Sequence, residues 1–222
     1  MVKGINPYQN REITIMLKKD ATKIAHTLGN PSKMPGKSYG IPAAECKVGS
    51  KLRAIPGSVC SKCYAHKGYY SYSTVSIAQY KRLESIENPE WVMAMATLIK
   101  NEEWFRWHDS GDLQSVSHLT KILMVASLTP NTRHWLPTKE KGMVAQYLNN
   151  GGIIPDNVTI RVSGAMIDGN APNVPQGIFT STVHKNKDAI GQVCIAPKQG
   201  GECKDCRACW NKNIKNISYH VH

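Results

Sequence analysis

Seven cysteines, all in two groups, are the residues in this chain best suited to chemistry: Cys46, Cys60 and Cys63 near the front, and Cys194, Cys203, Cys206 and Cys209 near the back. Thiolates are the ligands of iron–sulfur clusters and of structural zinc, and a Cys-x2-Cys bite lets one turn deliver two sulfurs to the same centre. The front group contains one such bite, Cys60-Ser61-Lys62-Cys63, and the back group a double one, Cys203-Lys204-Asp205-Cys206-Arg207-Ala208-Cys209. Four thiolates at the back can close a tetrahedral zinc site or fill every corner of a [4Fe–4S] cube. Three at the front leave one iron of a cube open to a small ligand. Two sites are therefore expected, one open and one closed. A zinc alternative uses the back four, or Cys203, Cys206 and Cys209 with His220 or His222.

A disulfide framework is the competing reading of clustered cysteines. Met1-Val2-Lys3-Gly4-Ile5-Asn6-Pro7 lacks the basic start, apolar run and small-residue cleavage site of a secretory leader, so a reducing cytoplasm is expected, that of the bacterial host if the chain is phage-encoded. No apolar run reaches the roughly 18 residues a membrane span needs. A hydrolase built on Ser110 or Cys60 finds no nucleophile-elbow pattern to support it.

At 222 residues, 41% hydrophobic and 20% charged, the chain can bury a full core. Its net charge of +12 is unevenly placed: residues 101–184 carry −1, and both cysteine-bearing ends are basic. Such a surplus offsets thiolate charge and also attracts nucleic acid or an acidic protein partner. No recognisable nucleic-acid-binding signature accompanies it, and oligomeric state is not legible. Tyr69, Tyr70 and Tyr72 beside Lys67 can stack bases or simply pack next to a metal site.

The elements that must position these groups read as alternating helix and strand. Helices are expected over residues 74–86, from Asn88-Pro89-Glu90 through Trp91 to Ile99, from the Ser115 cap through Leu128, and from Thr138 to Leu148. Strands are expected at residues 104–108, 133–136, 158–162 and 177–183. Such alternation predicts an α/β fold with a parallel sheet, a partial or complete β/α barrel, comprising residues 1–185, followed by a cysteine-rich segment over residues 186–222. Functional residues in such folds gather at the carboxyl ends of the strands. There the chain places His108-Asp109-Ser110-Gly111-Asp112, Pro137-Thr138-Lys139-Glu140-Lys141 and Ser163-Gly164. Asp109, Ser110, Gly111 and Asp112 make a loop able to hold ribose hydroxyls or an ammonium; equally, an Asp there can cap the next helix. Arg161 can pair with a ligand carboxylate or phosphate, or with a structural partner.

Four stretches carry a resemblance: residues 32–43 (Ser-Lys-Met-Pro-Gly-Lys-Ser-Tyr-Gly-Ile-Pro-Ala), residues 57–65 around Cys60 and Cys63, residues 105–113 around His108-Asp109-Ser110-Gly111-Asp112, and residues 203–210 ending in Cys209-Trp210. In that order they resemble the phage "gene product 88" family, which implies a phage context more than a reaction. A looser resemblance is to radical S-adenosylmethionine enzymes, with their barrel, their three-cysteine [4Fe–4S] cube and an aromatic after the last cysteine, here Cys63-Tyr64. That resemblance implies that Cys46, Cys60 and Cys63 hold the catalytic cluster and the back four an auxiliary one, with Asp109, Ser110, Gly111, Asp112 and Arg161 gripping S-adenosylmethionine. It differs in the loop: thirteen residues separate Cys46 from Cys60.

Overall fold

The computed structural model describes residues 16–221; the Met1–Pro7 segment and His222 lie outside them. Among the described residues, seven strands form one wholly parallel sheet: β1 (Lys37–Tyr39), β2 (Trp104–Trp107), β3 (Arg133–Thr138), β4 (Val158–Ile167), β5 (Phe179–His184), β6 (Gln192–Val193) and β7 (Asn216–His220). Their order across the sheet is β1-β2-β3-β4-β5-β7-β6. The sheet is open, with β1 and β6 at its edges, so the closed form of the expected barrel is not what these strands build.

The helices are α1 (Lys18–Ala25), α2 (Lys47–Arg53), α3 (Ser73–Ser85), α4 (Trp91–Ile99), α5 (Val116–Leu128) and α6 (Lys141–Asn149). α5 starts where the sequence places its cap: Ser115 Oγ accepts from His118 N at 3.0 Å. At the head of α4, Asn88 Oδ1 accepts from Glu90 N at 2.8 Å. α6 starts three residues later than expected because Thr138 ends β3, its hydroxyl donating to Asp112 Oδ1 at 2.6 Å.

Period-two alternation in the strands divides the sheet into two faces. Phe105, Trp107, Leu136, Val158, Ile160 and Val162 pack with α1, α4 and α5 in the main core. Tyr39, Trp91 and Trp107 form its aromatic centre, all fully buried, with Trp91 Nε1 donating to the Tyr39 hydroxyl at 3.2 Å. Rings of this size contribute the largest apolar areas and pack edge to face. The other face carries Trp104, Arg106, Trp135, Thr159 and Arg161. Among the described residues it is the cysteine-rich segment that covers it, with the 3-10 turn Ala208–Trp210. Thr159 Oγ1 donates to Trp210 O at 2.8 Å, and Trp210 Nε1 donates to Phe105 O at 3.0 Å. Both faces of the central strands are thus covered, as parallel sheets require.

The end of the chain departs most from expectation. Instead of a separate cysteine-rich segment, its residues 216–220 form β7, which pairs with β5 on one side and β6 on the other. The segment is therefore woven, through its described residues 186–221, into the same sheet as the rest.

Candidate functional site

The loop after β1 carries the front thiols. Cys46 precedes α2, and Cys60 lies in a 3-10 turn (Val59–Lys62) closed by Cys63 N donating to Cys60 O at 3.1 Å. Ser58, fully buried, stiffens that turn, accepting from Ser61 N at 3.0 Å and donating to Leu52 O at 2.6 Å. A Cβ added to Gly49 would stand 3.5 Å from Cys46 Sγ and 3.7 Å from Cys60 Sγ, so both sulfurs border the space this glycine leaves open.

The neighbours of these thiols come from the carboxyl ends of β2, β3 and β4, the location the sequence predicts. Lys139 Nζ donates to Gly164 O at 2.6 Å, and Glu140 Oε1 accepts from Val48 N at 2.8 Å. The Tyr64 hydroxyl donates to Asp109 O at 2.6 Å and accepts from Arg106 Nη2 at 3.2 Å, pinning the residue after Cys63 to the end of β2. Burial pushes the Cys46 thiol up to about 12, helped by the Asp112 carboxylate and the neighbouring Cys63 and Cys60. Cys60 is raised by burial too, while the Lys139 ammonium pulls it back down. The three thiols thus share one electrostatic environment.

The back thiols gather on the second face of the sheet. Cys194 N donates to Ser218 O at 2.9 Å, Cys203 N to Lys33 O at 2.8 Å, and Cys206 N to Cys203 O at 2.8 Å, closing the second Cys-x2-Cys turn. Cys209 Sγ lies 3.2 Å from the Tyr219 hydroxyl. Burial raises Cys194 and Cys203 and takes Cys209 to about 12; Cys203 and Cys209 both feel Cys194.

Arg161 organises this segment. Its Nε donates to Cys209 O at 2.9 Å, Nη1 to Ile214 O at 2.9 Å and Thr180 O at 3.3 Å, and Nη2 to Asn211 O at 2.8 Å and Ala208 O at 3.2 Å. A guanidinium has five N–H donors, and all five are spent here on backbone carbonyls. The structure therefore gives Arg161 a partner other than a cofactor: the loop that bears the back thiols.

The His108–Asp112 loop splits in two. Asp112 Oδ1 accepts from Leu113 N at 2.8 Å and Thr138 Oγ1, and Oδ2 accepts from Lys139 N at 2.8 Å. It ties the β2 and β3 loops together, and burial lifts its carboxyl to about 6 against these three hydrogen bonds. Neither Asp109 nor Asp112 caps α5; Ser115 does. Gly111 has φ +78°, and a Cβ there would come within 2.4 Å of Ile41 Cγ1, so only glycine fits. Asp109 uses Oδ2 to accept from the Tyr70 hydroxyl at 3.0 Å, whereas its Oδ1, the Ser110 hydroxyl and both ring nitrogens of His108 are buried without partners. His108 adopts φ +55°, strained for a side chain of its kind, and burial pushes it well below its usual value.

The sequence reading did not single out Arg106 or Tyr64 as a pair. Alternation in β2 was the available signal, since it puts Arg106 opposite the core residues Phe105 and Trp107. Arg106 lies 4.7 Å over the Trp135 ring, and its Nε and Trp135 Nε1 are both buried without partners. Tyr70 belongs to this site, whereas Tyr69 and Tyr72 pair with each other at 5.3 Å on the surface.

All seven cysteines are free thiols. Among the described residues, no group of three or more His, Cys, Asp and Glu side chains is arranged to hold a metal ion. A single zinc ion draws four ligands to one point, with sulfurs at about 2.3 Å. His220 is edge-on to the His184 ring, with Nδ1 2.8 Å from Val221 O. An iron–sulfur cube asks for something different, with each thiolate on a separate iron. The two Cys-x2-Cys turns and the space at Gly49 supply donors of the right type for such a cube, though the side chains as they stand are gathered around neither kind of centre.

Among the described residues, no helix is long and apolar enough to cross a membrane. Searches of curated proteins and of solved structures return no match to this chain. The model of one family, described as Gene product 88, matches residues 15–212, which include every cysteine and all seven strands except β7, and the chain is a member of the Gene product 88 family.

Proposed function

We propose that this protein is an iron–sulfur protein in which Cys46, Cys60 and Cys63 hold a [4Fe–4S] cluster with one open iron, and Cys194, Cys203, Cys206 and Cys209 hold a second, closed one. The observation that carries this reading is the gathering of seven free thiols into two separate groups of three and four on different parts of one scaffold. When bound, the open cluster supplies a one-electron centre with a vacant coordination position. Around it the Lys139 ammonium offsets thiolate charge, and Asp112 holds Lys139 in place through its backbone N–H.

The finer reading is a radical S-adenosylmethionine-like enzyme on a partial β/α barrel. The order β1 to β5, the three-thiol loop after β1 and the Tyr64 hydroxyl bond to the β2 loop support it. Asp109 Oδ1 and the Ser110 hydroxyl, unpartnered beside Gly111, are the groups left to receive the ammonium and hydroxyls of such a cofactor. Arg161 and the Asp112 carboxylate are committed elsewhere.

The test is iron and acid-labile sulfide analysis on protein purified without oxygen, comparing the parent with Cys63→Ala and Cys206→Ala. Two clusters give about eight irons and eight sulfides per chain, and each variant loses about half. Stoichiometric zinc without sulfide would overturn the proposal and leave a zinc-stapled accessory protein. Binding of S-adenosylmethionine by the loaded protein, abolished in Asp109→Asn, tests the finer reading; its failure with full iron would remove only that part.

A further inference from the structure

A cavity opens at the end of the sheet away from the front thiols. It has a volume of about 620 Å³ and is lined by Trp104 at the start of β2, Arg133 at the start of β3, Asp156 before β4, and Arg207, Trp210 and Lys212 from the cysteine-rich segment. This size falls within the range of small-molecule sites, about 300–1,000 Å³.

Its chemistry is cationic and aromatic. Three cations face one carboxylate, and among the described residues the only ion pair is Lys23–Asp20, so neither Arg133, Arg207 nor Lys212 is neutralised by a direct partner. Arg207 lies 5.3 Å over the Trp104 ring, and Trp104 packs against Trp210 at 5.5 Å and 73°. Burial lowers the Lys212 amine, the Asp156 carboxylate resists this, and the Arg133 charge adds to it. A bound anion would relieve that crowding. Cations at this density beside an aromatic and a guanidinium plane match the way nucleotides are held, phosphate by charge and base by stacking.

We propose that this cavity binds a phosphate-bearing nucleotide unit, with Arg133, Arg207 and Lys212 around the phosphate and the base against the Trp104–Arg207 stack. Cys206 of the back group also lines this cavity, so the site borders the back thiols, and it narrows the partner expected from the chain's net charge of +12 to one place on the surface.

The experiment uses the full chain as purified and two probes, a labelled ten-residue oligothymidylate and thymidine monophosphate, followed by anisotropy and by tryptophan fluorescence. Arg133 and Lys212 are exposed, so Arg133→Gln/Lys212→Gln removes charge without touching the core; Lys18→Gln/Lys19→Gln on α1 is the matched control. The pocket pair is expected to weaken binding about tenfold and to flatten its dependence on salt, while the control leaves both unchanged. Binding of the oligomer alone identifies a single strand as the source, and competition by the monophosphate identifies a site for free nucleotides as well. Binding of neither probe at about 1 mM, parent-like affinity in the pocket pair, or an equal loss in the control would each overturn the proposal.

Discussion

Lowering the pH from 7 to 5 probes how the helical face of the sheet is built. Three histidines, His108, His118 and His134, are buried there, and burial pushes His118 and His134 down to about 3. His134 shows why: Trp107 Nε1 donates to its Nδ1 at 3.2 Å, and its Nε2 lies 2.9 Å from Thr129 Oγ1, whose own proton goes to Val125 O. Protonation would set one N–H against another. The unfolded chain takes up each proton as pH falls through about 6.5, whereas the folded chain does so only near 3. Stability is therefore present above the unfolded value and lost as pH falls below it. Between pH 7 and pH 5 each of these two groups removes about 2 kcal/mol, a large fraction of the roughly 5–15 kcal/mol of a typical domain. His108 acts in the same direction. Asp112 works the other way, because its carboxyl, raised to about 6, binds a proton first in the folded state and returns about 1 kcal/mol at pH 5. Urea unfolding at pH 7, 6 and 5 for the parent and His134→Gln isolates one term. Glutamine keeps an acceptor and a donor but cannot ionise, so the loss between pH 7 and pH 5 should shrink by about 2 kcal/mol. An identical loss in parent and variant would refute this account of the histidine.

Two further outcomes are expected. Arg161→Lys offers at most three donors to the five carbonyls, costing about 3 kcal/mol or more, and hydrogen exchange should accelerate over residues 208–214; unchanged protection there would show that the fork does not hold the segment. Gly49→Ala brings a methyl to 3.0 Å from Cys46 Cβ, a crowding that works against the roughly 1 kcal/mol a helix gains from alanine, and should lower iron content at the front group by pushing on Cys46 and filling the space beside Cys60. A variant carrying the parent's full iron would refute that role for Gly49.

Where local signals were dense, the sequence specified the fold. The Ser115 cap, the Asn88 turn and the aromatic alternation of β2 each placed an element within a few residues, and the carboxyl-end rule brought the His108, Lys139 and Gly164 loops together. α1 was illegible because the face that Lys18–Ala25 buries is marked only by the small Ala21 and Ala25 in a short, lysine-rich stretch, and β1 because three residues give no pattern. β7 was not expected as a strand, since its alternation spans only five residues and its pairing depends on a distant strand. The site divided in the same way. Clustering of thiols could be read from spacing, but the fates of Asp112 and Arg161 could not, because they are decided by backbone atoms of other loops: Lys139 N for one, the carbonyls of residues 208–214 for the other.

The order of strands at the far edge has a consequence for synthesis. β6 is made before β7 but has only β7 to pair with, and Cys194 N reaches Ser218 O in that same last strand. Every contact described around Cys46, Cys60 and Cys63 involves residues no later than Ile167. A nascent chain can therefore assemble the residues around the front group while β5 is paired with β4 alone and β7 has not yet closed over the back four thiols. The two groups of thiols thus come together at different times, and a premature stop just short of residue 216 removes the Ser218 carbonyl that holds Cys194 and the Tyr219 hydroxyl beside Cys209.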